Sequence, residues 1–486
     1  MAQAPSFDMV AIARQVLLDN GFDPVMPPEL DRTIPARDPL EGERDLRMLP
    51  WSSIDNEESR DLDQIEVAAE LPDGTIRVAV GIADVDALVP KGSPIDVHAL
   101  RNTTTLYTGV HVFPMLPEVL SVDRTSLLDG QERLAVVTDF VVDREGRVDD
   151  SKTEIFIARV LNKAKLVYER VGAFLEGKGP GPTDKVIVDQ LRIQDVAAQR
   201  LRKRRHEQGA LELESVEART VSVDGKVVDL EVVEKNRARE LIEDLMIAAN
   251  GATARYLESR GWSSIRRVVR APRRWDRLVE LAKSFGFVLP PEPSPRPLAE
   301  FLESRKAADP ARFADVSLSV VKLIGPGEYA LQRASDPDTG HFGLAVDDYA
   351  HSTAPNRRYP DLVTQRLLKA CARGAKPPYT DAELADIARQ CTDRETSARK
   401  VERTMRKVAA AVLLSTRVGE VFDAIITGAT DKGVFARLIH PAAEGRVVRG
   451  DRGLDVGDAV QVRLLDTNPM KGFVDFEALK KKPLAG

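Results

Sequence analysis

Apolar and polar positions change rhythm along this chain, and each change predicts a different kind of structure. Residues 65–160 alternate with a period of two, as in Ile76-Arg77-Val78-Ala79-Val80 and the run from Leu134 to Val142. That predicts strands, with a turn at Asp143-Arg144-Glu145-Gly146. From about residue 184 the period lengthens, predicting helices over 184–208, 236–260, 274–286, 297–307, 312–324, 359–374 and 381–416. Gly177 to Pro182 and Pro290 to Pro297 punctuate this region as loops. After Gly419 short strands return at Val421–Ile426, Gly433–Leu438, Gly445–Val448 and Val460–Leu465, with a turn at Val456-Gly457-Asp458. At the front, Met9 to Leu18 has helical spacing, Asp19-Asn20-Gly21 stops it, and Pro27-Pro28-Glu29-Leu30 opens a second short helix. These two helices fit a compact helix-turn-helix or a helical cap on the main domain.

Composition narrows this picture to a large soluble protein. With 486 residues, 43% hydrophobic and 30% charged, the chain is long enough for two to four domains. It has no run of about 18 apolar residues, so no membrane span is expected. Met1 to Asp8 lacks a basic region followed by an apolar core, so no secretion signal is expected. Cys371 and Cys391 alone make neither a zinc site nor a disulfide scaffold, which suits a reducing cytoplasm. The net charge of −6 disfavours non-specific coating of nucleic acid. Basic clusters at Arg200–Arg205, Arg266-Arg267, Arg273-Arg274, Arg357-Arg358 and Arg399–Lys407 can still line a groove for one strand. Taken singly, each is more simply a solvated helix face.

Chemistry concentrates in Ile54-Asp55-Asn56-Glu57-Glu58-Ser59-Arg60-Asp61-Leu62-Asp63-Gln64. Asp61 and Asp63 are two apart, so an extended segment turns both carboxylates to one side and Leu62 to the other. Asp55 joins them if Asn56 to Ser59 turns back. Oxygen ligands of this kind suit Mg²⁺, and metal ions so held promote phosphodiester hydrolysis. A calcium loop of the EF-hand type lacks its glycine and closing glutamate here. Alone, such a cluster is more often a solvated turn.

The ordered set of surrounding blocks gives it meaning. They are Val80-Gly81-Ile82-Ala83-Asp84-Val85, Pro114-Met115-Leu116-Pro117, Gly209-Ala210-Leu211-Glu212-Leu213-Glu214, Glu243 to Asn250, His341 to His351 and Arg357-Arg358-Tyr359-Pro360-Asp361-Leu362. Over about residues 48–415 the chain resembles the ribonuclease II/R (RNB) family of exoribonucleases. The segment after Gly419 resembles an S1 domain, a five-stranded OB barrel that binds single-stranded nucleic acid.

The resemblance implies an α+β fold. An RNB-type catalytic domain at 48–415 would follow a small helical unit at 1–47 and precede an S1 barrel at 416–480. About 47 residues are too few for the two cold-shock-type barrels that relatives often carry. Asp55, Asp61 and Asp63 match the first three places of the family's Asp-x5-Asp-x-Asp-Asp motif, and Gln64 stands in the fourth. These four are the expected ligands of Mg²⁺, with Mn²⁺ as a substitute. A glutamine carbonyl carries no charge, so metal affinity should fall.

Arg357 and Arg358 match the family's paired arginines, Arg357 stabilising transition-state charge and Arg358 contacting RNA. Tyr359 and Asp361 would position that segment. Glu402 lies where a family glutamate steers attack or release, although an ion pair with Arg406 one turn on explains it equally. Tyr107 matches a base-stacking tyrosine. A second stacking aromatic expected near 217–223 is missing. Glu243 and His341 are expected to be structural.

On the barrel, Phe435 and Arg437, with Phe422 and His440, are candidates for the RNA surface. Each phenylalanine has even odds of being core. Lys480-Lys481-Lys482 would form a basic tail. The implied activity is that of a cytoplasmic, monomeric, metal-dependent 3′→5′ exoribonuclease acting on single-stranded RNA, processive to nucleoside 5′-monophosphates. Gln64 also suits a catalytically silent RNA-binding homologue. The carboxylates alone would suit an enzyme acting on DNA or a small phosphoester.

Overall fold

The computed structural model describes residues 7–35, 43–214, 218–223, 226–232, 235–337, 339–430 and 433–481. Met1 to Ser6, the segment Val216-Glu217 and Lys482 lie outside the described residues. Helix α1 (Met9–Asp19) begins where the Asp8 side chain accepts the Ala11 amide, and it buries Met9, Ala13 and Leu17. The helix expected to open at Pro27 is a 3₁₀ helix over Pro28–Thr33.

The first half of the chain builds a sheet from β1 (Arg44–Asp45), β2 (Ser52–Asp55), β3 (Gln64–Glu70) and β4 (Ile76–Ala83). Helix α2 (Pro94–Asn102) and a small ribbon of β5 (Leu106–Tyr107) and β6 (Val112–Phe113) follow. The sheet is completed by β7 (Glu132–Val142), β8 (Glu154–Leu161) and β9 (Ala164–Val167), in the order β1-β8-β7-β4-β3-β2-β9.

Helices α3 (Tyr168–Leu175), α4 (Lys185–Glu207) and α5 (Arg237–Glu258) lie over it. Alternation along β4 sends Ile76, Val78, Val80 and Ile82 toward Leu191, Ala198 and Leu245 of α4 and α5. Ala79 and Ala83 face the other way, into a second core with Trp51, Leu62, Ile65 and Val67. Both faces of β3 and β4 are therefore covered by protein. This fact governs the site below.

Between α4 and α5 stands a hairpin of β10 (Ala218–Val223) and β11 (Lys226–Val232). A two-stranded sheet of β12 (Ser264–Val268) and β13 (Glu328–Gln332) brackets α6 (Trp275–Ser284), α7 (Pro295–Ala308) and α8 (Phe313–Ile324). Helix α9 (Tyr359–Ala372) is buried from Tyr359 to Lys369, polar residues included. The 34-residue α10 (Asp381–Leu414) starts at a capping box of Thr380 and Glu383. Its last turns join α1 and the barrel in one core through Met405, Val408 and Leu414.

The barrel closes in the order β14 (Val421–Thr430), β15 (Gly433–Leu438), β16 (Glu444–Arg449), β18 (Phe473–Lys481) and β17 (Ala459–Asn468). The protein is thus α+β with a C-terminal OB-type barrel, and each of the seven helices expected after residue 184 is present. The fifth barrel strand runs through the expected basic tail, where Lys480 and Lys481 pair with Gln461 and Val460. No described helix is long and apolar enough to cross a membrane.

Candidate active site

The acidic stretch links β2 to β3, and buried hydrogen bonds fix its shape. The Ser126 hydroxyl donates to the Arg60 carbonyl and accepts the Leu62 amide at 2.9 Å, while the Ala83 amide donates to the Asp63 carbonyl at 2.9 Å. Asp63 is thereby only 2% exposed and points at a segment almost three hundred residues away. It accepts the Asn356 amide at 3.1 Å and the Arg357 Nε–H at 3.1 Å. Burial pushes the Asp63 carboxyl up to about 7, with Arg357 opposing the rise and the Asp61 charge adding to it.

Asp61 accepts the Tyr107 hydroxyl at 2.9 Å, and the Tyr107 ring remains 41% exposed. The Tyr107 strand is tied to the arginine segment, since the Thr105 amide donates to the Arg357 carbonyl at 3.0 Å. Asp61, Asp63, Tyr107 and Arg357 are therefore brought together. Tyr107 also lines a cavity of about 880 Å³ with Asn56, Arg219, Arg239, Glu402 and Arg406. This places Glu402 and Arg406 of α10 across the cavity wall shared with Tyr107.

Asp55 ends β2 and is half-buried. Its charge acts on Glu66, and both Asp55 and Glu66 act on the Tyr168 phenol. Glu66 is completely buried, and neither of its carboxylate oxygens has a hydrogen-bond partner among the described residues. Burial, reinforced by Asp55, raises its carboxyl well above the usual range. Gln64, two residues earlier on β3, is 9% exposed.

Among the described residues no three carboxylate, imidazole or thiol groups stand at ligand spacing. The donor chemistry nonetheless fits a hard divalent cation. Asp55, Asp61, Asp63 and Glu66 offer carboxylate oxygens and Gln64 an amide oxygen, and among the described residues Arg357 is the one cation bonded to any of the four carboxylates.

Behind this site the arginine segment is rigidly held. Arg358 donates to Asp361 at 2.8 Å, and the fully buried Asp361 also accepts the Ala354 amide at 2.8 Å. The Tyr329 hydroxyl meets His351 Nδ1 at 2.9 Å. Burial and the Arg267 charge push His341 down to about 4, and its Nδ1 accepts the Leu344 amide at 3.2 Å. That bond caps the short helix at Phe342–Leu344. Glu243, by contrast, is exposed on α5, while its neighbour Asp244 takes the buried ion pair with Arg205.

The structure sorts the candidates for binding surface. Phe422 is 6% exposed and belongs to the barrel core, whereas Phe435 and Arg437 are half-buried. Phe473, 57% exposed, lies on β18, whose last residues Lys480 and Lys481 were expected in a basic tail. Two of the basic clusters spend arginines on the fold: Arg202 pairs with Glu240, Arg205 with Asp244, Arg266 with Glu258 and Arg267 with Glu395. Their sequence neighbours gave no hint of these distant carboxylates.

Sequence reasoning missed two features of the site. One is Glu66. The other is the β10–β11 hairpin, whose Arg219 pairs with Glu58 at 2.6 Å and closes one side of the cavity.

Comparison with known proteins matches residues 43–374 to the RNB domain and residues 420–479 to the RNase II-type exonuclease C-terminal S1 domain. The chain is 29% identical to Ribonuclease R of Thermotoga maritima, over 97% of this chain and 70% of that protein. It is 32% identical to Ribonuclease R of Escherichia coli K12, over 84% of this chain and 51% of that protein. The chain thus spans from about half to 70% of the length of such relatives. Its fold superposes on Mycoplasma genitalium RNase R in complex with ribose methylated single-stranded RNA, with a TM-score of 0.86 at 23% identity. That match covers 97% of this chain and 78% of the other.

Proposed function

This chain belongs to the RNB family, and we propose that it hydrolyses single-stranded RNA processively from the 3′ end to nucleoside 5′-monophosphates. The observation that carries this reading is the convergence of Asp61, Asp63, Tyr107 and Arg357 beside the 880 Å³ cavity. Asp55, Asp61, Asp63 and the Gln64 carbonyl would hold Mg²⁺ or Mn²⁺, which when bound supplies an activated water and neutralises the scissile phosphate.

The chain's own groups do the positioning. The Tyr107 ring offers a platform on which any base can stack, and its bond to Asp61 fixes the ring's angle. Arg357 gives its Nε–H to Asp63, leaving two terminal nitrogens to grip a phosphate and the charge that develops on it. Glu402 steers attack or product release from the opposite cavity wall. Arg358, Phe435, Arg437 and the exposed Phe473 contact the RNA strand.

In this reading residues 48–415 form the catalytic unit, 416–480 the RNA-binding barrel and 1–47 a helical accessory. The protein works as a cytoplasmic monomer.

Gln64 favours a second reading, an RNA-binding homologue without catalysis. A 5′-labelled single-stranded RNA with Mg²⁺, with EDTA and with Asp63→Asn, beside a DNA oligomer, separates the two. Degradation of RNA alone, abolished by chelator and lowered at least about 10²-fold by Asp63→Asn, is the expected result. Intact RNA that still shifts on a gel would replace it with the binding reading.

A further inference from the structure

Thr220 and Leu230 face each other across the β10–β11 hairpin, and packing fixes both. Leu230 is buried in the core that α10 shares with the barrel, and its carbonyl accepts the Ala442 amide at 3.2 Å. Thr220 sits against the turn after Tyr107, where a Cβ on Gly109 would stand 2.7 Å from the Thr220 Cβ. The next rung, Arg219 and Glu231, turns to the other face of the hairpin and lines the cavity with Tyr107.

The ion pairs of Arg219 add little to that hold. Arg219 meets Glu58 of the acidic stretch at 2.6 Å and Glu231 at 3.9 Å, and all three side chains are at least half exposed. Exposed pairs of this kind gain little over hydration, so they exchange readily. Arg239 on the same cavity is engaged more fully: it donates to Glu169 at 2.9 Å and to Asn56 at 3.1 Å, and it lies over the Tyr168 ring. A guanidinium fork matches a phosphate bidentately, which a single exposed carboxylate contact does not equal.

We propose that Arg219 is an RNA-phosphate contact, kept in reserve by Glu58 and released when a strand enters the cavity. The pair is thus a competitor of RNA and not a clasp of the hairpin. This inference deepens the RNA-binding reading above and rests on it.

The test is binding of labelled single-stranded oligoadenylate and oligouridylate to the full chain in EDTA, read by fluorescence anisotropy over a range of salt. Arg219→Ala should lower the slope of log affinity against log salt by about 0.7 and weaken binding about fivefold near 0.1 M salt. The loss should be equal for the two strands, because a phosphate carries no base identity. Arg219→Lys keeps the charge and should keep the slope. Glu58→Gln should act with the opposite sign, tightening binding about twofold or more, and the gain should vanish in the Arg219→Ala chain. Thermal unfolding midpoints of both single variants should stay within about 2 °C of the unaltered chain's.

A clasp would give both variants the same sign, so weaker binding in Glu58→Gln overturns the proposal. An unchanged salt slope in Arg219→Ala, a Glu58→Gln gain that survives without Arg219, or a midpoint lowered well beyond 2 °C overturns it too. In each of these cases the unaltered chain still binds RNA, and only the assignment of Arg219 falls. If the unaltered chain binds neither strand, the RNA-binding reading falls with it.

Discussion

Two polar clusters against the central sheet are built to opposite rules. In the first, Asp84, Asp86 and Asp96 face Arg366 and Lys369, and every ionised group has its partner. Lys369 bonds Asp84 at 2.7 Å and Asp86 at 2.9 Å; Arg366 bonds Asp86 at 2.9 Å, Asp96 at 2.8 Å, the Tyr379 hydroxyl and the Val89 carbonyl. Asp96 also accepts the Tyr359 hydroxyl at 2.9 Å.

In the second, Asp55, Asp61, Asp63 and Glu66 face one bonded cation, Arg357, and Glu66 has no partner among the described residues. Charge balance thus separates a cluster that holds the fold together from one whose excess negative charge fits the proposed metal-dependent function. Neutralised groups stabilise the native state only when all are satisfied. An excess of buried negative charge stays costly until something positive arrives.

The sharpest way to break this comparison is to remove one partner from the balanced cluster. Lys369→Met should lower stability by about 3–5 kcal/mol in urea unfolding, because Asp84 would be left buried beside Asp86. A loss below about 1 kcal/mol would mean the network is not structural.

Next comes pH, which separates ion pairs from the neutral imidazoles behind the arginine segment. Folding holds His341 at about 4 against an ordinary 6.5. The unfolded chain therefore binds the extra proton first, and stability falls as pH drops through that window. The expected loss is about 3 kcal/mol between pH 6.5 and pH 4. Buried His351 is displaced in the same direction and adds to it. His341→Gln should remove its share of the acid sensitivity, measured by urea unfolding at both ends of the window.

The unbalanced cluster should respond with the opposite sign. In EDTA, Glu66→Leu should raise stability by about 1–3 kcal/mol, since it deletes an unsatisfied buried group. A destabilised variant would place Glu66 with the structural charges. The smallest effect is at the rim. Tyr107→Ala should weaken RNA binding by about 1–2 kcal/mol at fixed salt, while Tyr107→Phe keeps the stack and loses only the bond to Asp61.

Much of this architecture was legible along the chain. The seven helices after residue 184 and four of the five barrel strands follow from period, caps and turn residues. The fifth, Phe473 to Lys481, has no such signal: Lys480 to Lys482 suggest a basic tail, yet the backbone of Lys480 and Lys481 completes the barrel. Arg266 and Arg267 looked like a nucleic-acid surface, and only folding revealed Glu258 and Glu395 beside them. Glu66 lies outside the acidic motif, and nothing local along the chain shows that its side of β3 is covered. Helices α4 and α5 cover that side.

By itself, then, the sequence determined the elements, the family blocks and the candidate carboxylates, because propensity, capping and motif spacing act between residues close along the chain. The tertiary structure alone decided which charges are paired and which are not. Asp63 meets Arg357, and Asp55 reaches Glu66, only after distant segments have packed and water has been excluded from between them.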